Sequence, residues 1–372
     1  MKFIFFFLVI FCTKIWSIED VKIIKNPSPN CIESNFKKLI KYKELKESEE
    51  SKEFLVSLSS LVVDENENIF AYDPILVKLF KYDSNLQLVK TFGSKGRGPG
   101  EIGGGSSGFT PGSLVIKKNY IYFGDWYNKK IICFNTNGDL IREIPFKRRL
   151  SPEIIPAVDN SGNIYLHADH NENNKYIIDF FDKNGEYSKG LLARANLFIG
   201  LFLKSEPELP KNPRGIRPDW YSTSTSSNIK YSINEKDQLL IYSSSSGYFW
   251  VFNQGKLQKT AKIWPKNALL DYKINLKEAA KMGGFCSFFR KLIIDQDNPD
   301  RFLLDYGYYK NGDKMFLYQF DLFGKLDKVY YVLDPKKPYI SFQYKKSNKF
   351  YGISRNNNNN LTISIYKESQ NE

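Results

Sequence analysis

Residues 69–90, IFAYDPILVKLFKYDSNLQLVK, and residues 121–142, IYFGDWYNKKIICFNTNGDLIR, are two copies of one unit set 52 residues apart without a gap. Ile69 corresponds to Ile121, Asp73 to Asp125, Tyr82 to Phe134, Asp83 to Asn135 and Leu88 to Leu140. A third copy begins at Val158 (VDNSGNIYLHAD) and resumes at Phe181 (FDKNGEY). Each unit reads as four short antiparallel strands. An apolar first strand and a polar turn lead to a second strand such as Asn163-Ile164-Tyr165; the third ends in an aromatic residue followed by Asp or Asn. A tight turn at Asn137-Gly138, Asn184-Gly185 or Gly324 then starts the fourth, because residues that tolerate positive φ let two strands reverse within a few residues. A four-stranded sheet repeated at this period is a propeller blade.

The third-strand signature recurs at Tyr82-Asp83, Phe134-Asn135, Phe181-Asp182, Phe252-Asn253 and Phe320-Asp321, with a looser copy at Tyr366. This predicts an all-β, six-bladed propeller of roughly 59 residues per blade, with the surplus over a minimal blade in loops. Residues 1–17 are set apart as a signal peptide, and 18–372 form a single domain with blades at about 58–92, 112–146, 153–194, 228–264, 289–334 and 339–372. The last blade offers only three strands of its own. The orphan strand VKIIK at residues 21–25 is therefore expected to supply its outer edge, closing the ring and leaving no open edge. Two segments break the repeat: the Pro- and Ser-rich insertion 195–226, and 265–288, which contains a short helical pattern at Leu276 to Met282.

The apolar run after Lys2 spans about ten residues, the length of a signal-peptide core and half of what a membrane-spanning helix needs. Export to the periplasm or the extracellular space follows, and no transmembrane segment is expected. Cys12 offers a lipoprotein alternative that bulky Phe11 disfavours. The formal charge of +13 falls to +11 once Lys2 and Lys14 are removed. The lysines are scattered rather than blocked, which reads as a basic solvated surface and not as a nucleic-acid stripe. Cys31, Cys133 and Cys286 have no metal-like spacing, and Cys133 sits in an apolar strand pattern as a small core residue. With 29 Phe and 24 Tyr in the chain, intrinsic preference also favours sheet.

The most specific motif is FGSKGRGPGEI, residues 92–102, followed by the strand that carries Asp125, Asn128, Lys130 and Ile131. It resembles the NHL-type pattern F-G-x-x-G-x-G-x-G leading to D-x-x-N-x-[KR]-[IV]. The chain is thus similar to the six-bladed propellers of bacterial envelope proteins, in which an acidic stretch, here 46–53, also precedes the first blade. The resemblance is strong over residues 38–190 and diffuse beyond. It implies an extracytoplasmic propeller, and this chain departs from the lipoprotein members in lacking a good lipobox.

The glycines of that motif precede no helix, so a phosphate-binding loop is not indicated. They read as an inter-blade linker, in which Arg97 and Glu101 pair or cap backbone groups. The linker, Asp73, Asp125 and Asn128 should share one face around the central channel, the candidate ligand-binding surface. Repetition of Asp73 and Asp125 at one blade position also fits side chains that brace a turn. Arg214, Arg217 and Trp220 in the insertion complete the candidate set, since Trp beside Arg is common in binding hot spots. His167 and His170 have no metal spacing and are assigned to a surface turn. No catalytic residue and no metal ligand is assigned. The expected function is non-catalytic binding of a protein, peptide or glycan, with no nucleic acid partner and no cofactor. The alternative is a channel-centred hydrolase or lyase using carboxylates and calcium.

Overall fold

The computed structural model describes residues 22–23, 26, 36–45, 55–104, 112–147, 156–168, 176–193, 229–243, 247–263, 289–306, 314–333, 340–355 and 361–370. Its strands in chain order begin with β1 (Lys22–Ile23) and β2 (Phe36–Glu44). Next come β3 (Ser60–Val63), β4 (Ile69–Asp73), β5 (Lys78–Tyr82) and β6 (Leu88–Phe92), an antiparallel sheet in simple meander order. A two-stranded ribbon, β7 (Ser94–Lys95) with β8 (Glu101–Ile102), forms in the glycine-rich linker. The meander repeats in β9 (Leu114–Lys117), β10 (Tyr120–Asp125), β11 (Lys130–Asn135) and β12 (Leu140–Pro145). It repeats again in β13 (Ala157–Val158), β14 (Ile164–His167), β15 (Tyr176–Phe181) and β16 (Tyr187–Ala193), and in β17 (Ile229–Ile233), β18 (Gln238–Ser243), β19 (Tyr248–Asn253) and β20 (Lys256–Lys262).

The remaining strands form one eight-stranded sheet. β21 (Phe289–Ile294), β22 (Arg301–Tyr306), β23 (Lys314–Asp321) and β24 (Leu326–Leu333) make one half; β25 (Ile340–Lys346), β26 (Lys349–Arg355) and β27 (Leu361–Glu368) make the other. β2 lies between the halves, parallel to β24 and antiparallel to β27. The expected clasp therefore exists but is a different segment. β1 pairs in parallel with β20 at the edge of another sheet, and residues 36–44 take the place assigned to 21–25. Nine residues give β2 two ladders, and it carries Leu39 into the core between the two halves. Lys43 donates from the same strand to Ser84 O and Asn85 Oδ1 in the β5–β6 turn, tying the chain's last sheet to its first meander.

Packing explains the strand pattern. The second strand of the first meander, β4, is buried at every position, as expected for a sheet covered on both faces, whereas the outer strand β6 is exposed over its first three residues. Apolar clusters fill the gaps between consecutive sheets: Tyr72, Leu79 and Phe92 meet Ile121, Phe123 and Phe134, for example, and Tyr82 with Phe80 meets Tyr351 and Ile363 across the closing gap. The first strands β3, β9, β13, β17, β21 and β25 neighbour one another in a closed cycle and surround a central channel.

Four of the third-to-fourth-strand turns follow one rule. Asp83, Asn135, Asp182 and Asp321 each accept, through Oδ1, the N–H groups two and four residues on. The residue three places on has positive φ, at Gly138 and Gly185 without strain but at Leu86 with φ 66°. Asp64, Asp159 and Asn234 build the first-to-second-strand turns the same way. The helical pattern near Leu276 and the insertion 195–226 lie outside the described residues.

Candidate functional site

The glycine-rich linker is held from several sides by side chains of the sheet that follows it. Glu101 Oε2 accepts the Gly98 N–H at 2.6 Å, so Glu101 caps the loop's own backbone. Asp125, at the end of β10, accepts the Gly103 N–H through Oδ2 at 2.8 Å and the Asn128 N–H through Oδ1 at 3.1 Å. Asn128 Nδ2 donates both to that carboxylate and to Gly96 O. Lys130, buried in β11, donates to Gly98 O at 3.2 Å and to Glu143 at 2.5 Å, and the same Glu143 oxygen accepts the Gly100 N–H. Each polar residue of the D-x-x-N-x-K pattern thus faces the linker and bonds to it. Arg97 stands exposed at the loop's tip.

Asp73 does the equivalent work one sheet earlier, with no exposed surface of its own. Oδ2 accepts the N–H groups of Val56 and Ser57 at 2.7 and 2.8 Å; Oδ1 accepts those of Ile75 and Leu76 at 2.8 and 2.9 Å. One carboxylate locks the β4–β5 turn to the segment leading into β3. The Tyr72 ring packs 4.5 Å from that of Phe123, and burial, then the charges of Asp125 and Asp73, push its hydroxyl pKa far up. The expectation that the linker, Asp73, Asp125 and Asn128 lie at one end of the sheets matches this geometry. The side chains held there are unusual for turns: Val56, Ile75, Leu76 and Tyr127 are all exposed.

The family models give no match to the chain, and no curated protein matches it in sequence. Among solved structures, a putative exported protein from Bacteroides fragilis superposes with a TM-score of 0.56 at 12% identity, over 94% of this chain and 100% of that one. A member of the DUF4221 family from Bacteroides vulgatus gives 0.55 at 12% identity, over 89% and 98%. The fold is a β-propeller. At such identities the likeness establishes the architecture and nothing about activity.

Beside the propeller's channel the structure brings together residues that the sequence reading did not single out. Lys291 Nζ donates to Gln343 Oε1 at 2.5 Å, Gln343 Nε2 to Ser341 Oγ at 2.9 Å, and Ser341 Oγ to Asp305 Oδ2 at 3.4 Å. Burial lowers the Lys291 pKa to about 8, against the opposing pull of Asp305. Lys291 and Gln343 border a cavity of about 70 Å³ whose other walls include Val62, Leu114 and Ile233. A signal for Asp305 was available in the repeat. Phe302 pairs with Phe320 as Ile69 pairs with Tyr82, so Asp305 stands where the first copy has Tyr72.

His167 is buried in β14, where its N–H donates to the Tyr231 hydroxyl, and not in the surface turn assigned to it. Its neighbours Tyr165 and Leu166 already carry the strand's apolar run, which a turn would not. Arg214, Arg217, Trp220 and His170 lie outside the described residues. Among the described residues no three His, Cys, Asp or Glu side chains are grouped to hold a metal ion, and no helix is long and apolar enough to cross a membrane.

Proposed function

We propose that this protein is an extracytoplasmic six-bladed propeller, a single domain over residues 18–372, that binds a protein, peptide or glycan through the end formed by its linkers and second-to-third-strand turns. The blade count is supported by reading β2 as the fourth strand of the β25–β27 unit, which makes six four-stranded units, and by the closed cycle of six first strands. Export is supported by the signal-like residues 1–17 and agrees with the exported structural neighbour.

One observation carries the binding reading: the exposed apolar tips Val56, Ile75 and Leu76 sit on backbone fixed by a buried carboxylate. Solvent-facing aliphatic groups on a preorganised turn bind without much ordering cost, and Tyr127 with Arg97 adds the residue types common in hot spots. Asp73, Asp125, Asn128 and Glu101 then serve as scaffold beneath the surface, and the binding reading requires no cofactor. The decisive comparison is quantitative recovery from envelope extract, alongside a glycan array, by wild type and by an Ile75→Asp, Leu76→Asp, Tyr127→Ala variant. Specific recovery or glycan binding lost in the variant supports the assignment; identical binding by both proteins removes this end from consideration.

The Lys291–Gln343–Ser341–Asp305 chain is the observation that favours the second reading, a channel-centred hydrolase or lyase. Calcium, held by carboxylate oxygens, is the cofactor that reading would take, with Asp305 as its candidate ligand. Metal analysis of the purified mature protein, with Asp305→Asn as comparison, tests that reading.

A further inference from the structure

A cleft of about 320 Å³ opens between the second and third blades, at the end of the sheets opposite the linkers. Its position follows from the meander: Lys117 and Lys118 belong to the first-to-second-strand turn of one blade, Asp159 to Gly162 form that turn in the next, and Lys183 lies in the latter's third-to-fourth-strand turn. Arg142 reaches into the gap from the outer strand β12. The size lies at the lower bound of small-molecule sites, about 300 Å³.

The charges in this cleft do not balance. Lys117 is neutralised by Glu235 at 3.0 Å. Lys118 uses its ammonium on a neutral acceptor, Asn160 O, at 2.9 Å. Arg142 donates to Lys183 O at 3.0 Å, and its positive charge lies close enough to the Tyr122 hydroxyl and the Cys133 thiol to oppose the effect of burial on both. The Lys183 side chain is exposed beside it. The one carboxylate in the wall, Asp159, is already occupied by the N–H groups of Ser161 and Asn163, the Asn163 amide and the Tyr165 hydroxyl. Burial pushes both the Tyr122 hydroxyl and the Cys133 thiol up, so these walls stay neutral. Lys118, Arg142 and Lys183 therefore converge on one pocket without a carboxylate partner among the described residues, and Tyr120 supplies a half-exposed aromatic wall.

We propose that this inter-blade cleft binds a small ligand bearing a phosphate or sulfate group, with the Arg142 guanidinium as its fixed donor and Lys118 and Lys183 as the cations at its mouth. A planar guanidinium held by neutral partners suits a tetrahedral oxyanion, and two flexible ammonium groups close around it. The aromatic wall and the volume beyond one oxyanion leave room for the organic part of an ester. The site is separate from the apolar turns at the linker end, and neither assignment depends on the other.

Isothermal titration calorimetry at low salt tests the assignment with inorganic phosphate, inorganic sulfate, glucose 6-phosphate, glucose 6-sulfate and glucose as probes. The proteins are wild type, Lys118→Gln/Lys183→Gln, and a control at the opposite end, Lys95→Gln/Lys129→Gln. Saturable one-to-one binding of an anionic probe is expected, with no heat from glucose, affinity about ten-fold weaker in the cleft variant and unchanged in the control. Tighter binding of the esters identifies an ester as the ligand class; equal binding of the inorganic ions identifies the free oxyanion. Absence of saturable binding by all four anions, an unaffected cleft variant, or an equal loss in the control overturns the proposal.

Discussion

Replacing Asp73 by Ala removes the single acceptor of four backbone N–H groups, those of Val56, Ser57, Ile75 and Leu76. The four donors are partly buried, so water can reclaim some of them. A net cost of about 1 kcal/mol per lost bond gives about 4 kcal/mol in total. Asp83→Ala is the control, because it deletes the same kind of acceptor, for Asn85 and Gln87, at an exposed turn. There the donors return to solvent, and the expected cost is about 1 kcal/mol. Asp73→Asn should fall between, at about 2 kcal/mol, since one oxygen still accepts while the amide NH₂ meets two donors. Urea denaturation followed by Trp fluorescence measures all three, with the slope held constant so that midpoint shifts report stability. Equal losses for Asp73→Ala and Asp83→Ala would refute the claim that burial makes Asp73 the main brace of this end.

Three more outcomes follow from individual contacts. Lys345 donates to the buried Asp295 at 2.6 Å and to Asp297 at 2.9 Å, so Lys345→Met should cost about 3–5 kcal/mol by stranding a charge, and a double change with Asp295→Asn should recover part of it in a denaturation cycle. The hydrogen bond from Lys349 holds the Glu67 carboxyl below its ordinary 4.5, outweighing its partial burial. The depressed folded-state value means that this pair stabilises fully above about pH 5 and that its contribution disappears as pH falls through the folded-state pKa; in acid titrations of stability, Glu67→Gln should flatten that fall. Lys129 is exposed at a φ of 52°, and Lys129→Asn should raise stability by about 0.5 kcal/mol, read as a small increase in Tm; a decrease would show that its backbone is not strained.

Much of this molecule is legible without coordinates, and its limits are equally physical. The 52-residue match placed β4 against β10 and β5 against β11, because strands buried on both faces and turns built on Asp or Asn leave local marks that any copy must carry. Asp73 and Asp125 were visible as a repeated pair, but whether they face a ligand or the chain's own N–H groups depends on what the linker does in space. The clasp went to residues 36–44, although VKIIK has the stronger apolar pattern, because pairing at a closing edge is decided by which segment can reach β27 and β24 together while placing Leu39 in their shared core. The channel chain from Lys291 to Asp305 and the basic cleft around Arg142 join residues from different strands and blades, as far apart along the chain as Lys117 and Lys183. Local periodicity determined the strands, the turns and their order; only the packing of sheet against sheet decided which charges are neutralised and which are left facing a cavity.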